Sequence, residues 1–278
     1  MSAALSSMRS VLFTPGSDER KLGRALESDA DAVVADLEDA VAPAEKAGAR
    51  DTVRRCFGNG GSGPARLVRV NGFGTPYFEE DVAILGELDL DGVVLPMASP
   101  EGVAALAPAG LPIVAVVETA AGVRLAYEIA SSPGVVALLL GAVDLGAEVG
   151  LEPRADGLEL QYVRSKLVID SIAAGIRAPV DCVHLAFGDE AGLEFQALLA
   201  RSLGLRGKAC IHPEQVAVVN RAFDSRPEEV AWARRVVDAA SEGLADGRGV
   251  VVVEGAMVDA PVVARARWIL EQSESHGR

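Results

Sequence analysis

The chain has 278 residues, half of them hydrophobic but only 4% aromatic, and a formal net charge of -14. That charge leaves no basic patch to neutralise phosphates and excludes a nucleic-acid partner, while a small anion held by local arginines stays compatible with it. A core of Val, Leu, Ile and Ala suits a parallel sheet buried on both faces, and the length suits one α/β barrel. Cys56, Cys182 and Cys210 are odd in number and widely spaced, which fits neither a disulfide framework nor a zinc site. No apolar run approaches the roughly 18 residues of a membrane helix, and the first residues lack a signal-peptide core. A cytoplasmic enzyme with no membrane association is the expectation.

After a polar start, Ser10–Thr14 reads as the first strand, ended by Pro15-Gly16, and Asp18–Leu26 as a helix. Ala32–Ala35 is the second strand and runs into Asp36-Leu37-Glu38-Asp39; three acids in four residues beyond a buried strand are solvated or functional. Ala44–Cys56 is helical, Asn59–Pro64 a flexible turn, and Arg66–Val70 the third strand with Arg69 near its end. A helix over Tyr77–Leu88 precedes the fourth strand, Gly92–Leu95, closed by Pro96, and a short helix follows at Pro100–Ala107. The fifth and sixth strands, Pro112–Val117 and Val135–Leu140, flank a helix over Ala121–Ile129. Each is followed by an acid, Glu118 directly and Asp144 after a small-residue turn.

A long helix covers Leu158–Ala174, with Arg164 and Lys166 on it. Pro179–Val183 is the seventh strand, followed by His184 and a helix over Asp189–Leu203, and Gly207–Ile211 is the eighth, ending at His212-Pro213. Eight such units predict a (β/α)8 TIM barrel over residues 1–224; a doubly wound open sheet is the alternative, and no GxGxxG turn supports it. Residues 225–278 form a C-terminal extension: a helix from Arg226 to about Ala240, a Gly-rich turn at Glu242–Arg248, a strand at Val250–Val253 and a helix at Pro261–Gln272. Its apolar residues, Met257-Val258 included, need cover from the barrel or from another subunit.

Charges just past the carboxyl ends of parallel strands sit where α/β barrels place their chemistry. Two carboxylates on neighbouring strand ends, Glu118 and Asp144, can share one hard cation and leave its other positions to water or substrate. The plain alternative is a pair of strand-end charges in surface salt bridges. Arg69 offers a bidentate fork for a carboxylate, or a structural pair with Asp36 or Glu38. Lys46 and Arg50, one helical turn apart, form either a rim for thioester-cofactor phosphates or solvated surface charge. His184 and His212 read as structural histidines, and Cys182 as an apolar strand residue.

Seven stretches in order carry a resemblance: RSVLFTPG (Arg9–Gly16), ADAVVADLEDAVAPAEKAGAR (Ala30–Arg50), LVRVNG (Leu67–Gly72), VVETAAGV (Val116–Val123), GAVDLGAEVG (Gly141–Gly150), GLRGKACIHPEQVAVVN (Gly204–Asn220) and GAMVDAPVVARA (Gly255–Ala266). As an ordered set they resemble the citrate lyase beta-subunit-like branch of the HpcH/HpaI aldolase superfamily, which also holds malyl-CoA, citramalyl-CoA and beta-methylmalyl-CoA lyases. The resemblance spans nearly the whole chain. It implies a TIM barrel that binds Mg2+, with Mn2+ as a substitute, through Glu118 and Asp144. It also implies carbon–carbon cleavage or formation through an enolate, on a 3-hydroxyacyl-CoA thioester of the malyl or citramalyl type.

In that reading Arg69 grips the substrate's carboxylate or carbonyl, and Glu38 and Asp39 support catalysis. The resemblance further implies a homotrimer or hexamer in which Asp259 reaches a neighbouring subunit's site. Alternatives are a citryl-acyl-carrier-protein lyase subunit, an aldolase of free 2-oxo acids, a malyl-CoA-type thioesterase, and a non-catalytic barrel. One departure stands out: many relatives carry Lys after the Leu-Pro of the fourth strand, where this chain has Leu95-Pro96-Met97.

Overall fold

The computed structural model describes residues 3–58, 61, 63–186, 188–245 and 250–276. The chain forms two compact units, Met1–Phe223 and Asp224–Arg278. Strands β1 (Ser10–Pro15), β2 (Ala32–Asp36), β3 (Ala65–Arg69), β4 (Gly92–Leu95), β5 (Ile113–Val117), β6 (Val135–Leu140) and β7 (Lys208–Cys210) make one parallel sheet in the order β6-β5-β4-β3-β2-β1-β7. Its two edges meet through Val180 and Asp181, which bridge Leu139 of β6 and Lys208 of β7, both in parallel sense. Val180 N–H donates to Leu138 O at 2.9 Å, and Ala209 N–H to Asp181 O at 2.9 Å. The ring is therefore closed by an eighth, very short stave, as a TIM barrel requires.

The full strand expected over Pro179–Val183 is cut to these single bridges. Pro179 brings no donor, and Asp181 turns outward into a buried ion cluster. Its carboxylate accepts from Arg164 Nε at 2.8 Å and Lys208 Nζ at 2.7 Å, all three groups being essentially inaccessible. The cluster holds the stave where its ladder is thinnest.

Alternation along the strands divides the apolar residues into two cores. Val33, Ala35, Val68, Ala115 and Val117 face the surrounding helices. Ala32, Val34, Leu67, Val114, Val116 and Leu139 face the inside of the ring. The polar start expected before β1 is instead a short helix, Ala3–Ser6, and Leu5 and Met8 are fully buried among those inward side chains. The helix expected over Ala121–Ile129 is broken at Leu125 into Ala120–Arg124 and Ala126–Ala130. The small-residue turn after β6 is the start of a helix, Ala142–Val149, with Gly141 as its cap.

The second unit holds a helix at Pro227–Ala245, an antiparallel hairpin of β8 (Val251–Val253) and β9 (Ala256–Val258), and a helix at Ala260–His276. Ala233, Val236, Val253, Val258, Ala266 and Ile269 form its core. The unexpected second strand follows from Glu254-Gly255, which both take positive φ, 51° and 80°, the geometry of a tight two-residue hairpin loop. Residues 59, 60, 62 and 246–248 of the two expected turns lie outside the described residues. No helix among the described residues is long and apolar enough to cross a membrane.

Candidate active site

The inward alternation, carried to the carboxyl ends of the strands, builds the site. Positions 32 and 34 of β2 lead to Asp36, 65 and 67 of β3 to Arg69, 114 and 116 beside β5 to Glu118, and 137 and 139 of β6 to Gly141. Asp36 and Arg69 are register partners across β2 and β3. Arg69 donates from Nε to Asp36 Oδ1 at 2.7 Å and from Nη2 to Asp36 Oδ2 at 2.6 Å, a bidentate pair. Asp36 also accepts from the backbone N–H groups of Glu38, at 2.9 Å, and Ala40, at 3.2 Å. One carboxylate thus fixes both the guanidinium and the acidic loop after β2. Phe13 supports the guanidinium with its ring centroid 5.3 Å away.

Arg69 Nη1 stands 2.8 Å from Glu38 Oε2 and 3.8 Å from Asp39 Oδ2. The approach to Glu38 is off the hydrogen-bonding direction, and that oxygen is buried without a hydrogen bond. Burial pushes the Glu38 carboxyl up to about 8; Arg69 opposes the shift and Asp39 and Glu118 add to it. Burial also works against the charge of Arg69, but its hydrogen bonds to Asp36 and the surrounding acids outweigh it and raise its pKa. Asp39 is largely exposed.

Glu118 is 3% exposed, and its Oε1 accepts from Met97 N–H at 2.6 Å. Met97 adopts φ 46°, a left-handed conformation uncommon for a side-chain-bearing residue. The backbone of the residue after Pro96 is thereby committed to Glu118, whatever its side chain. Burial pushes Glu118 up to about 7; the Met97 hydrogen bond resists this and Asp144 adds to it. A Cβ at Gly141 would collide with Glu118 Cβ and Oε2, so glycine at the end of β6 makes room for this carboxylate. Asp144 lies in the first turn of Ala142–Val149, where a helix N-terminus favours an acid.

Arg69, Asp36, Asp39, Glu118, Gly141 and Asp144 line one cavity of about 460 Å³. Among the described residues no cluster of three or more His, Cys, Asp or Glu side chains is set for a metal. Two carboxylates with room beside them, one destabilised as an anion by burial and by the other's charge, fit a hard divalent cation that keeps water and substrate in its remaining positions.

The structure does not present Lys46 and Arg50 as a rim. Both are buried. Lys46 Nζ donates to Leu37 O at 2.8 Å and Glu38 O at 2.9 Å, which braces the acidic loop. Arg50 pairs with Asp81 at 2.9 Å and with Glu80. These internal carbonyls and carboxylates are the physical reason that neither cation stands free. His212 Nδ1 accepts from Glu214 N–H at 3.3 Å, at the start of the helix Pro213–Phe223. His184 faces Gln196 Oε1 at 3.2 Å. Asp259 belongs to the second unit, and its Oδ1 accepts from Val262 N–H at 3.3 Å at the head of the last helix. Gly141 was absent from the expected site and Asp36 entered it only as a structural partner of Arg69; counting by two from Ala32 and Ala137 leads to both.

Residues 9–213 match the HpcH/HpaI aldolase/citrate lyase family, and residues 160–278 match a C–C bond lyase family of the TIM-barrel fold. The chain belongs to the HpcH/HpaI aldolase/citrate lyase family. It is 38% identical over 272 residues to a (3S)-malyl-CoA thioesterase of Cereibacter sphaeroides, covering 96% of this chain and 95% of the relative. It is also 38% identical over 285 residues to a citrate lyase subunit beta-like protein of Deinococcus radiodurans, covering 97% and 99%. Among solved structures, CitE of Mycobacterium tuberculosis in complex with magnesium, acetoacetate and coenzyme A superposes with a TM-score of 0.83 at 35% identity, over 97% of this chain and 99% of that one. This is an enzyme family, and its barrel is the one found here.

Proposed function

We propose that the chain is a Mg2+-dependent carbon–carbon lyase or aldolase acting on a 3-hydroxyacyl-CoA thioester of the malyl or citramalyl type. The observation that carries this reading is one cavity lined together by Glu118, directly after β5, Asp144, in the first helical turn after β6, and a rigidly held Arg69. The magnesium, acetoacetate and coenzyme A bound by the related CitE support the same metal and substrate class. Bound there, Mg2+ would supply charge stabilisation for an enolate oxygen and a chelation point for an oxo acid.

The chain's own residues supply the remainder. Glu118 and Asp144 hold the cation, with Glu118 Oε1 fixed by Met97 N–H. Arg69, anchored on Asp36 along its Nε–Nη2 edge, presents its remaining N–H groups to the substrate carboxylate or carbonyl. Cleavage takes the proton from the 3-hydroxyl, breaks the bond between C2 and C3, and returns a proton to C2 of the enolate. Glu38, whose carboxyl ionises near 8, and Asp39, at the cavity wall, are the groups assigned to that traffic. Asp259 is assigned to thioester chemistry in a neighbouring copy of a trimer or hexamer. Hybrids mixed from inactive Asp259→Asn and Glu118→Gln chains then regain turnover, and hybrids that stay inactive contradict it.

Thioester hydrolysis is the second reading, favoured by the 38% identity over 96% of the chain to a malyl-CoA thioesterase. Mass spectrometry of both fragments from malyl-CoA and citramalyl-CoA, with and without Mg2+, decides between them. The lyase yields a shorter acyl-CoA and an oxo acid or aldehyde acid. Free coenzyme A with the intact hydroxy diacid contradicts it in favour of hydrolysis.

A further inference from the structure

A second cavity of about 460 Å³ lies beside the helix that carries Asp144. It shares the apolar residues Ala142, Val143, Val183 and Leu185 with the active-site cleft, and Leu151 and Leu160 extend its apolar wall. Arg164 borders it, 1% exposed. Its Nε and Nη2 bond Asp181 at 2.8 and 3.2 Å, whereas Nη1 is buried with no hydrogen-bond partner. Asp181 is shared with Lys208 Nζ at 2.7 Å, so this buried cluster sets two cations against one carboxylate. The adjoining Cys182 does not balance it, because burial pushes its thiol pKa up and keeps it neutral. An unpaired donor beside a surplus of buried positive charge is costly until an acceptor meets it.

Two other buried atoms at this cavity lack hydrogen bonds. His184 Nε2 has none, although Asp189 Oδ2 lies 3.4 Å away, and its Nδ1 faces Gln196. Glu159 Oε2 also has none. The cavity therefore offers a cationic donor for one anionic group, apolar walls for what is attached to it, and an acid that repels a second anion.

We propose that this chamber binds a small monocarboxylate with a short apolar body. Its carboxylate meets Arg164 Nη1, and its hydrocarbon lies against Val143, Leu151, Leu160 and Leu185. The site is separate from the Glu118–Asp144 pair and needs no metal. In EDTA-treated protein the cleft repels anions, because acids surround Arg69 there.

The test is a calorimetric titration of butyrate into the EDTA-treated full chain. Saturable binding is expected, equal in wild type and in Glu118→Gln. Arg164→Met weakens it about tenfold or more, as loss of a charged hydrogen bond does. Ala147→Phe, which fills the chamber from the exposed face of the helix and leaves the Arg164–Asp181 pair intact, abolishes it. Circular dichroism establishes that each variant is folded; if Arg164→Met is not, Ala147→Phe decides. No saturable binding to wild type overturns the proposal. Wild-type affinity in folded Ala147→Phe does so too, as does loss of binding in Glu118→Gln, or succinate binding as tightly as butyrate.

Discussion

The two ends of the barrel are built on opposite electrostatic plans. At the amino-terminal end Leu5 and Met8 close the ring, the acid Asp31 is paired, and the buried Arg177 is held by backbone carbonyls with its Nε and Nη1 unbonded. Arg9 pairs with Asp31 through Nε and Nη2, both at 2.9 Å, and Arg177 Nη2 donates to Met8 O at 2.9 Å and Arg206 O at 3.0 Å. At the carboxyl end Asp36, Glu38, Asp39, Glu118 and Asp144 gather around Arg69, and two of them, Glu38 and Glu118, are pushed far above the ordinary carboxylate range. One end spends its side chains on cohesion. The other keeps an excess of acid that only a cation or protons can satisfy, which is what a metal-dependent site requires before its ligand arrives.

The division can be broken at either end. Glu118→Gln or Asp144→Asn should lower Mg2+-dependent turnover by about a hundred- to a thousandfold, in keeping with the loss of transition-state charge stabilisation. Steady-state kinetics on the substrate identified by product analysis reads this, and near-normal turnover in either variant removes that residue from the site. Leu5→Ala at the closed end should cost about 2–5 kcal/mol in urea denaturation, as a cavity in a packed core does. Turnover per folded molecule should be unchanged; a matching loss of turnover would mean that the two ends are not independent.

Gly141→Ala tests the crowding at the carboxyl end. The added methyl displaces Glu118, and Mg2+ affinity measured by calorimetry should weaken about tenfold, the scale seen when support of a metal ligand is disturbed. The smallest effect is on stability. Glu118 ionises near 7 in the folded chain and near 4.5 when unfolded, so between those values the folded state holds the extra proton. Stability from this group is therefore full below about 4.5 and is lost as pH rises through 7. Metal-free Glu118→Gln should melt above the metal-free wild type at pH 8, and the gap should close toward pH 4.5. A gap that widens on acidification contradicts the burial argument.

Much of this was legible in the sequence. Apolar runs with strand length and even spacing gave the barrel, and acids after two of them, Glu118 and Asp144, marked its working end. Arg69 was legible as a fork with Asp36 or Glu38 as a possible partner, and the structure selects Asp36 for the Nε–Nη2 edge. Lys46 and Arg50 were misread as free cations because helical spacing shows a shared face but not what covers it; their partners come from residues 37–38 and 80–81. The stave over Pro179–Val183 is shorter than its sequence suggests because PVDCV looks apolar, yet Asp181 answers to Arg164 and Lys208 across the chain. Leu5 and Met8 gave no periodic signal, since a plug of two residues has no period.

The central claim is that Glu118 and Asp144 together hold a divalent cation. Crystals soaked in Mn2+ and measured for anomalous scattering test it most directly. The account predicts one strong peak within coordinating distance of both carboxylates, inside the cavity that Arg69 faces. A peak bound to other residues, or one touching neither Glu118 nor Asp144, would contradict it.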